Sequence, residues 1–302
     1  MAGQANSLVS ILYALGANFA IFVAKLVGAI VTGSSAMLAE AVHSLADCGN
    51  QGLLIVGLRS ARRAPTPDAP LGYGKAIYFW SFIVALVLFS MGGLFSIYEG
   101  WRKLSEPEPL AWPWLAVGIL IFSIAAECVS LWGALREINK VRYGRTLWRW
   151  FRESRQSELV VVLGEDLAAL LGLTLALLAV ALTLATGDTF YDAAGSMAIG
   201  VVLIVIAFGI GYEVKGLLIG QSAEPHIQQA IADYVASRPE VDRLLRLITL
   251  QTGDTLMVAV KALMCERDNA AAMVLAINEC EAGLRQAFPQ IQWLFFEPDI
   301  EE

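Results

Sequence analysis

The chain has 302 residues, of which 57% are hydrophobic and 16% are charged, and its formal net charge is -7. Soluble domains carry about 25% charged residues, so this composition, with a mean hydropathy of +0.61, excludes an ordinary soluble protein and indicates a membrane protein. The net charge taken alone would suggest repulsion from nucleic acid and anionic lipid, but the charges are unevenly distributed along the chain, so their location matters more than their sum. The four cysteines show no spacing typical of a zinc ribbon or a disulfide framework.

Six apolar stretches follow one another along the chain, each of the roughly twenty residues needed to cross the hydrocarbon of a bilayer. They predict six transmembrane helices, at 8–30, 36–58, 77–100, 112–135, 158–185 and 190–213. Lys and Arg gather after the second and fourth stretches, and cytoplasmic loops accumulate these residues. Because the number of spans is even, both termini are expected in the cytoplasm.

The segment 136–155 combines seven basic residues with Trp148, Trp150 and Phe151. Interleaved basic and aromatic residues occur in RNA-binding proteins. Beside a helix end, however, cations and tryptophans are typical of the lipid headgroup level. We therefore expect this segment to contact the bilayer and expect no nucleic-acid partner.

The composition changes near Gln221, which divides the chain into a membrane domain, 1–220, and a C-terminal domain, 221–302. The C-terminal part shows the element order α-β-β-α-β, which predicts a small α+β layer. The helices are predicted at 225–237 and 269–288, and the strands at 244–250, 255–263 and 291–296. A domain of about eighty residues is marginally stable alone, so dimerisation is expected.

The second predicted helix contains a stripe of polar side chains. Glu40, His43, Ser44, Asp47 and Gln51 recur at spacings of three and four, so they share one helical face. Ionisable groups are costly in hydrocarbon and usually have a function there. The alternative is a polar face toward a water-filled vestibule without a ligand.

A second cluster lies in the fifth predicted helix, where Glu165 and Asp166 follow Gly164 in an apolar run. Ionised groups in hydrocarbon need a partner, so a cation is expected between helices two and five. Lys25 in helix one is an internal candidate for a structural ion pair. One lysine cannot balance all four acids of the two clusters.

A divalent metal matches the histidine and the acids of the two clusters better than an ion pair with Lys25 does. Imidazole and carboxylates bind zinc and also iron, manganese or cobalt, and His43 and Asp47, at i and i+4, can reach one ion from one helix. Such ligands must lose their protons to bind metal. This predicts alternating access to one site at which metal and protons compete.

These features together resemble the cation diffusion facilitator family of metal/proton antiporters. The resemblance rests on six spans, on GSSAMLAEAVHSLADCGNQ from Gly33 to Gln51, on PLGYGK from Pro70 to Lys75, and on the C-terminal α+β domain. The basic segment leading into Gly164 is similar to the branch that contains the mitochondrial zinc exporter. The family implies a homodimer with a ferredoxin-like cytoplasmic domain that exports divalent metal in exchange for protons.

The resemblance also implies a transport site. His43, Asp47 and Asp166 match three of the family's ligands, whereas the fourth position falls on Val162, which cannot bind a metal. Glu165 is expected to substitute for it. A three-ligand site completed by water is the alternative, and it would loosen selectivity toward manganese, iron or cobalt.

Other positions have supporting or regulatory roles by the same resemblance. Glu40 is read as an entrance or proton-path residue, and Asn18 and Gln51 as supports of the ligands, although polar packing explains them equally well. Lys75 matches a lysine of an inter-domain charge interlock, with Glu224 as its expected partner; two solvated charges are the alternative.

The C-terminal domain is expected to hold little or no metal. Its one histidine is His226, and a position that often carries histidine in the family is Phe295. No spacing recommends its remaining candidate ligands, which are Cys265, Glu266, Cys280 and Glu297. Apolar contacts such as those of Leu294 and Phe296 are expected to hold the domain together.

The sequence therefore predicts a proton-coupled exporter of divalent metal, zinc first, working as a homodimer in a bacterial inner membrane. His43, Asp47, Asp166 and Glu165 are its predicted metal ligands, and no prosthetic group and no enzymatic activity are expected. The alternatives are an exporter of manganese, iron or cobalt, a transport-inactive metal-sensing scaffold, and an intramembrane metalloenzyme. A trimmed organellar protein would show the same sequence features.

Overall fold

All six predicted spans are helices. A computed structural model describes residues 5–107 and 112–301, with side chains described from Leu15 onward except at Ala17. The spans are α1 (Ala5–Thr32), α2 (Ser35–Ala61), α3 with α4 (Ala76–Val87 and Phe95–Ser105), α5 (Pro113–Val141), α7 (Ser157–Thr186) and α8 (Phe190–Ile219). The observed helices begin within three residues of the predicted windows and end one to six residues beyond them.

The helical part is a multi-pass membrane domain. Within the described ranges, four spans are by themselves long and apolar enough to cross a membrane. They are Ala76–Ser105, Pro113–Val141, Ser157–Thr186 and Phe190–Ile219. Helix α1 contributes the apolar part Asn18–Thr32, and α2 has the length of a span but carries the polar stripe.

The third span is continuous but contains one irregular turn. Between α3 and α4 the seven residues Leu88–Leu94 are π-helical, a wider geometry that inserts in α-helices and is frequent at functional sites. Gly93 in this turn and Gly200 on α8 let the two backbones approach, because a Cβ on Gly200 would stand 2.6 Å from the Gly93 carbonyl oxygen. Small residues are the usual means of close helix packing in membranes.

The C-terminal domain has the predicted element order. It consists of α9 (Pro225–Ala236), β1 (Val241–Thr252), β2 (Thr255–Met264), α10 (Ala270–Ala287) and β3 (Ile291–Pro298). Strand β2 is central, antiparallel to β1 and parallel to β3. Gly253, with φ of 65°, opens the two-residue hairpin between β1 and β2, and Asn269 caps α10 by accepting a hydrogen bond from Ala272 N.

The core of this domain lies between one face of the sheet and the two helices. Alternate residues of β2 are buried against α9 and α10, as a half-buried strand requires. Leu294 is buried in this core and Phe296 packs against it. This agrees with the expectation that both help to hold the domain together.

The chain forms two compact units. One contains residues 5–56, 80–107, 112–146 and 158–214; the other contains 57–79, 147–157 and 215–301. The second unit thus includes the α2–α3 connection and the short helix α6 (Leu147–Glu153), which the sequence did not predict as a helix. A domain boundary at residues 220 and 221 stays a prediction.

Contacts within the second unit fix the α2–α3 connection against the β1–β2 hairpin. The Tyr78 hydroxyl accepts a hydrogen bond from Gly253 N at 3.0 Å, and Trp293 Nε1 donates to the Leu71 carbonyl oxygen at 3.3 Å. Arg155, just after α6, donates to the Ser222 carbonyl oxygen at 2.8 Å. The connection is therefore packed as part of this unit.

Candidate metal centre

The polar stripe of α2 is buried in the membrane unit. Glu40 and His43 are completely buried, and Asp47 is 8% exposed. His43 Nε2 lies 3.7 Å from Asp47 Oδ2, too far for a hydrogen bond. Among the described residues, neither ring nitrogen of His43 has a hydrogen-bond partner, and Asp47 Oδ1 has none either. The stripe thus presents an imidazole and a carboxylate side by side with lone pairs available.

The π-helical turn of the third span lies beside this imidazole. A Cβ added to Gly92 would stand 3.8 Å from His43 Nδ1, so the turn and the ring are in close proximity. The irregular backbone of this span is therefore placed at the candidate site.

The two acids of α7 point to different neighbours. Because successive residues of an α-helix are rotated by about 100°, Glu165 and Asp166 cannot share one direction. Glu165 Oε1 accepts a hydrogen bond of 2.5 Å from Asn50 Nδ2 on α2. Asp166 Oδ1 accepts one of 3.2 Å from Ser130 Oγ on α5, and its Oδ2 has no partner in residues 5–107 and 112–301 as described.

The structure brings some of the four predicted ligands together and separates others. The side chains of His43 and Asp47 are neighbours on α2. Glu165 is near enough for a negative charge on it to repel one on Asp47. Asp166 is turned toward α5. In the described part of the chain, no three side chains of the types His, Cys, Asp and Glu are close enough to hold one metal ion, so the four-ligand set stays a prediction.

Lys25 accounts for one acid of the stripe. Its ammonium lies 3.3 Å from Glu40 Oε2 and donates a 2.7 Å hydrogen bond to Ser44 Oγ, with Lys25 and Glu40 both fully buried. The structural ion pair considered above therefore forms with Glu40. Asp47, Glu165 and Asp166 remain as acids that Lys25 does not contact in this arrangement.

Helix α5 contributes an acid that the sequence reasoning missed. Glu127 is 7% exposed, and a negative charge on it would repel negative charges on Asp47, Glu165 and Asp166. Ser123, Glu127 and Ser130 recur at spacings of four and three, so they form one polar face. That spacing was the available signal, because it repeats on α5 the pattern that identified the stripe of α2.

Supports of the ligands differ from those expected. Asn50, one turn after Asp47, makes the contact to Glu165. Gln51 is half-buried, and the described residues offer no partner to its Oε1. Asn18 is half-buried on α1. The amide that contacts a predicted ligand is thus the neighbour of the one that the sequence singled out.

The start of α2 is fixed by side chains from other helices. Asp192 on α8 accepts hydrogen bonds from Ser34 Oγ at 2.7 Å and from Ser35 N at 2.9 Å. Lys103 on α4 donates to the carbonyl oxygen of Gly33 at 2.8 Å. An acid at a helix N-terminus satisfies free N–H groups and the helix dipole. These contacts hold in place the helix that carries His43 and Asp47.

In the second unit, the residues considered for the charge interlock and for metal binding contact other protein groups. The Lys75 ammonium lies beside Gly220, and Glu224 Oε2 lies 3.4 Å from His226 Nδ1. Cys280 is buried, with Sγ 3.6 Å from Glu240 Oε2. The interlock of Lys75 with Glu224 stays a prediction.

Comparison with known proteins decides the family. The model of the cation efflux transmembrane domain matches residues 11–219, more than half of the chain. The protein belongs to the cation efflux family. Its predicted site residues on α2 and α7 all fall within the matched range.

Several relatives of this cation efflux protein have informative names. The mitochondrial proton-coupled zinc antiporter SLC30A9 of Mus musculus is 35% identical over 219 residues, which cover 72% of this chain and 39% of the relative. Metal tolerance protein C4 of Arabidopsis thaliana is 31% identical, with 76% and 51% covered. The cation-efflux pump FieF of Escherichia coli is 24% identical, with 85% and 81% covered.

The match covers only part of each SLC30A9 protein. The chain spans about two fifths of their length. Family membership and the resemblance to the mitochondrial zinc transporter branch are therefore established by the matched region. Activity and substrate for this cation efflux protein are argued below from its own residues.

Proposed function

We propose that this protein exports divalent metal cations, zinc first among them, in exchange for protons. The observation that carries the proposal is His43. Its imidazole is fully buried, neither ring nitrogen has a hydrogen-bond partner within the described part of the chain, and the Asp47 carboxylate lies 3.7 Å away. Buried polar groups without partners are costly, and a metal ion that accepts a nitrogen lone pair would offset this cost.

The charges around His43 also favour a cation. Asp47, Glu127, Glu165 and Asp166 are all less than one tenth exposed, and Lys25 is engaged by Glu40. Ionised carboxylates in hydrocarbon need neutralisation. A divalent ion between α2 and α7 supplies two positive charges at once.

The same groups would couple metal to protons. Imidazole and carboxylates bind metal only when they are deprotonated, so protons and metal compete for them. When the site opens to the side with more protons, metal leaves and protons enter. Opening the site alternately to the two sides of the membrane then yields antiport with one site and no prosthetic group.

The choice of metal follows from the donor atoms. One imidazole with carboxylates suits zinc and also manganese, iron and cobalt. The name of the SLC30A9 relatives specifies zinc, which supports zinc as the first candidate here. The oxygen atoms of Asn50, Glu165 and Asp166 near the site are the reason to offer manganese, iron and cobalt as well.

Location and assembly are part of the proposal. The positive residues after the second and fourth spans support cytoplasmic termini, and the small C-terminal domain supports a homodimer. We place the protein in a bacterial inner membrane. The names of the SLC30A9 relatives specify mitochondria, which makes an organellar membrane the competing location.

Flux measurements test the proposal. The full chain is reconstituted in liposomes that contain a metal-sensitive and a pH-sensitive dye, and zinc, manganese, iron(II) and cobalt are offered in turn. Zinc flux with opposite proton flux is expected, and Asp47→Ala and Asp166→Ala abolish both. Glu137→Gln, an exposed acid on α5 paired with Lys140, is the matched control and leaves flux unchanged.

Three results would contradict the proposal in different ways. Flux that persists in both alanine variants would refute the site. Metal flux without proton flux would refute the coupling. Binding of metal without any flux would identify the protein as a metal-sensing scaffold instead.

A further inference from the structure

One contact joins the two helices of the proposed transport site directly. Asn50 Nδ2 on α2 donates a hydrogen bond to Glu165 Oε1 on α7. Asn50 is completely buried and Glu165 is 6% exposed. A hydrogen bond from an amide to a buried carboxylate is among the stronger ones in proteins, so it fixes the direction of the Glu165 side chain.

The direction matters because α7 lacks a second ligand on the face that carries Asp166. Val162 precedes Asp166 by four residues and shares its face of the helix, and Asp166 is directed toward Ser130 on α5. Glu165 lies about 100° around the helix from Asp166. The hydrogen bond from Asn50 holds this carboxylate toward α2, the helix that carries His43 and Asp47.

The position of Asn50 on α2 agrees with a role at the site. It lies three residues after Asp47, about one turn along the same face. Its Oδ1 is buried and has no hydrogen-bond partner among the side chains that the structure describes. An amide present only to join two helices would leave this acceptor as an uncompensated cost, whereas an amide beside a bound cation would not.

We propose that Asn50 is a positioning residue that turns Glu165 toward α2, so that this carboxylate replaces the ligand absent at Val162. This inference rests on the proposed function. One oxygen of Glu165 is held by Asn50, which leaves the other for the cation. Removal of the amide donor frees the carboxylate to rotate away, and the affinity for metal falls because orienting it again costs conformational entropy.

A double-mutant cycle tests the coupling. Zinc affinity is measured by calorimetry on the purified full chain for the parent, Asn50→Leu, Glu165→Ala and the double variant. Leucine is close to asparagine in size and lacks the donor. In the parent background, Asn50→Leu is expected to weaken zinc binding about tenfold, as for loss of a hydrogen bond to a charged group. In the Glu165→Ala background, it is expected to have no further effect.

A conservative variant and a control distinguish loss of the contact from misfolding of the protein. Asn50→Gln keeps the amide donor on a longer stem and is expected to retain most of the affinity. Ser130→Ala removes the donor to the neighbouring acid, Asp166, so its effect should add to that of Glu165→Ala. Thermal unfolding without metal confirms that each variant is folded.

The outcomes separate this inference from the proposed function. If Asn50→Leu weakens binding equally in both backgrounds, or not at all, Asn50 does not position Glu165, even where Asp47→Ala abolishes binding. If the parent binds none of the four metals, the proposed function is wrong. If the unfolding temperatures measured without metal then still show coupling between Asn50 and Glu165, the contact contributes to helix packing alone.

Discussion

Lys25 on α1 and Glu40 on α2 form an ion pair of 3.3 Å in which both side chains are fully buried. Ser44, one turn further along α2, accepts a second hydrogen bond from the same ammonium. The pair ties α1 to the helix that carries His43 and Asp47. It also uses an acid of the polar stripe that the sequence reasoning had assigned to the path of metal or protons.

Breaking this pair from one side is expected to be costly. Lys25→Met leaves Glu40 as a buried charge without its partner, which destabilises proteins by about 3–5 kcal/mol. The double variant Lys25→Met with Glu40→Gln is expected to recover most of that loss, because no unpaired charge remains. Thermal unfolding in detergent measures both.

The control for this pair is an exposed one. Lys140 and Glu137 on α5 are both more than half exposed, and such pairs contribute about 0–1 kcal/mol. Lys140→Met should therefore leave the unfolding temperature nearly unchanged. Equal effects of Lys25→Met and Lys140→Met would show that the buried pair does not stabilise the protein.

Glu127 should influence cation affinity through its charge. Glu127→Gln keeps the shape of the side chain and removes one negative charge near Asp47, Glu165 and Asp166, so zinc binding is expected to weaken by up to roughly tenfold. Calorimetry on the purified protein measures this. The Glu137→Gln variant on the same helix serves as the control, and a comparable loss there would assign the effect to overall charge.

Because α8 packs closely against the π-helical turn, there is no space for a side chain at Gly200. A Cβ there would stand 2.6 Å from the Gly93 carbonyl oxygen and 2.6 Å from Ile97 Cγ1, so Gly200→Ala must displace backbone. We expect a lower unfolding temperature. Gly118→Ala on α5, where a Cβ meets nothing within 4 Å, should be neutral or slightly stabilising; a loss of similar size at both positions would refute the packing argument.

The stability of the C-terminal domain should depend on pH partly through the carboxyl group of Glu240. Burial raises the pKa of Glu240, but its backbone N–H and the two hydrogen bonds from Arg238 outweigh this and hold the pKa below its usual value. A depressed carboxyl pKa contributes stability that is present above the unfolded-state pKa of about 4.3 and is lost as pH falls through the folded-state value.

Hydrogen exchange can follow this loss. Peptides from β1 and α10 should lose protection, after correction for intrinsic rates, as pH falls below about 4. Glu240→Gln should be less stable at neutral pH and show a smaller change with pH. An unaltered pH dependence in Glu240→Gln would assign the loss to other groups, such as Asp299, whose hydrogen bond from Lys261 also holds its pKa below the usual value.

Much of the fold follows from local sequence patterns. The apolar windows predicted the spans because hydrocarbon admits only helices there, and the hairpin at Gly253 and the cap at Asn269 follow from turn and capping chemistry. The π-helical turn at Leu88–Leu94 had no such signal, since its residues suit an ordinary helix. The helix α6 is likewise too short for periodicity to reveal.

The candidate site was predictable only in part. His43 and Asp47 are on one helix, so their spacing alone placed them together. The partners of Glu165 and Asp166 depend on how α7 is rotated against α2 and α5, which no local pattern determines. For the same reason Asn50, Ser130 and Asp192 acquire their contacts only through the packing of helices distant in sequence.

The most direct test of the central claim is X-ray absorption at the zinc edge on the full chain loaded with one equivalent of zinc. The protein has two histidines, so in a His226→Ala background only His43 can supply an imidazole. We expect one imidazole nitrogen at about 2.0 Å with oxygen donors and no sulfur, and loss of the imidazole signal in His43→Ala. A spectrum without imidazole, or with sulfur at about 2.3 Å, would contradict the claim that His43 and its neighbouring acids bind the transported metal.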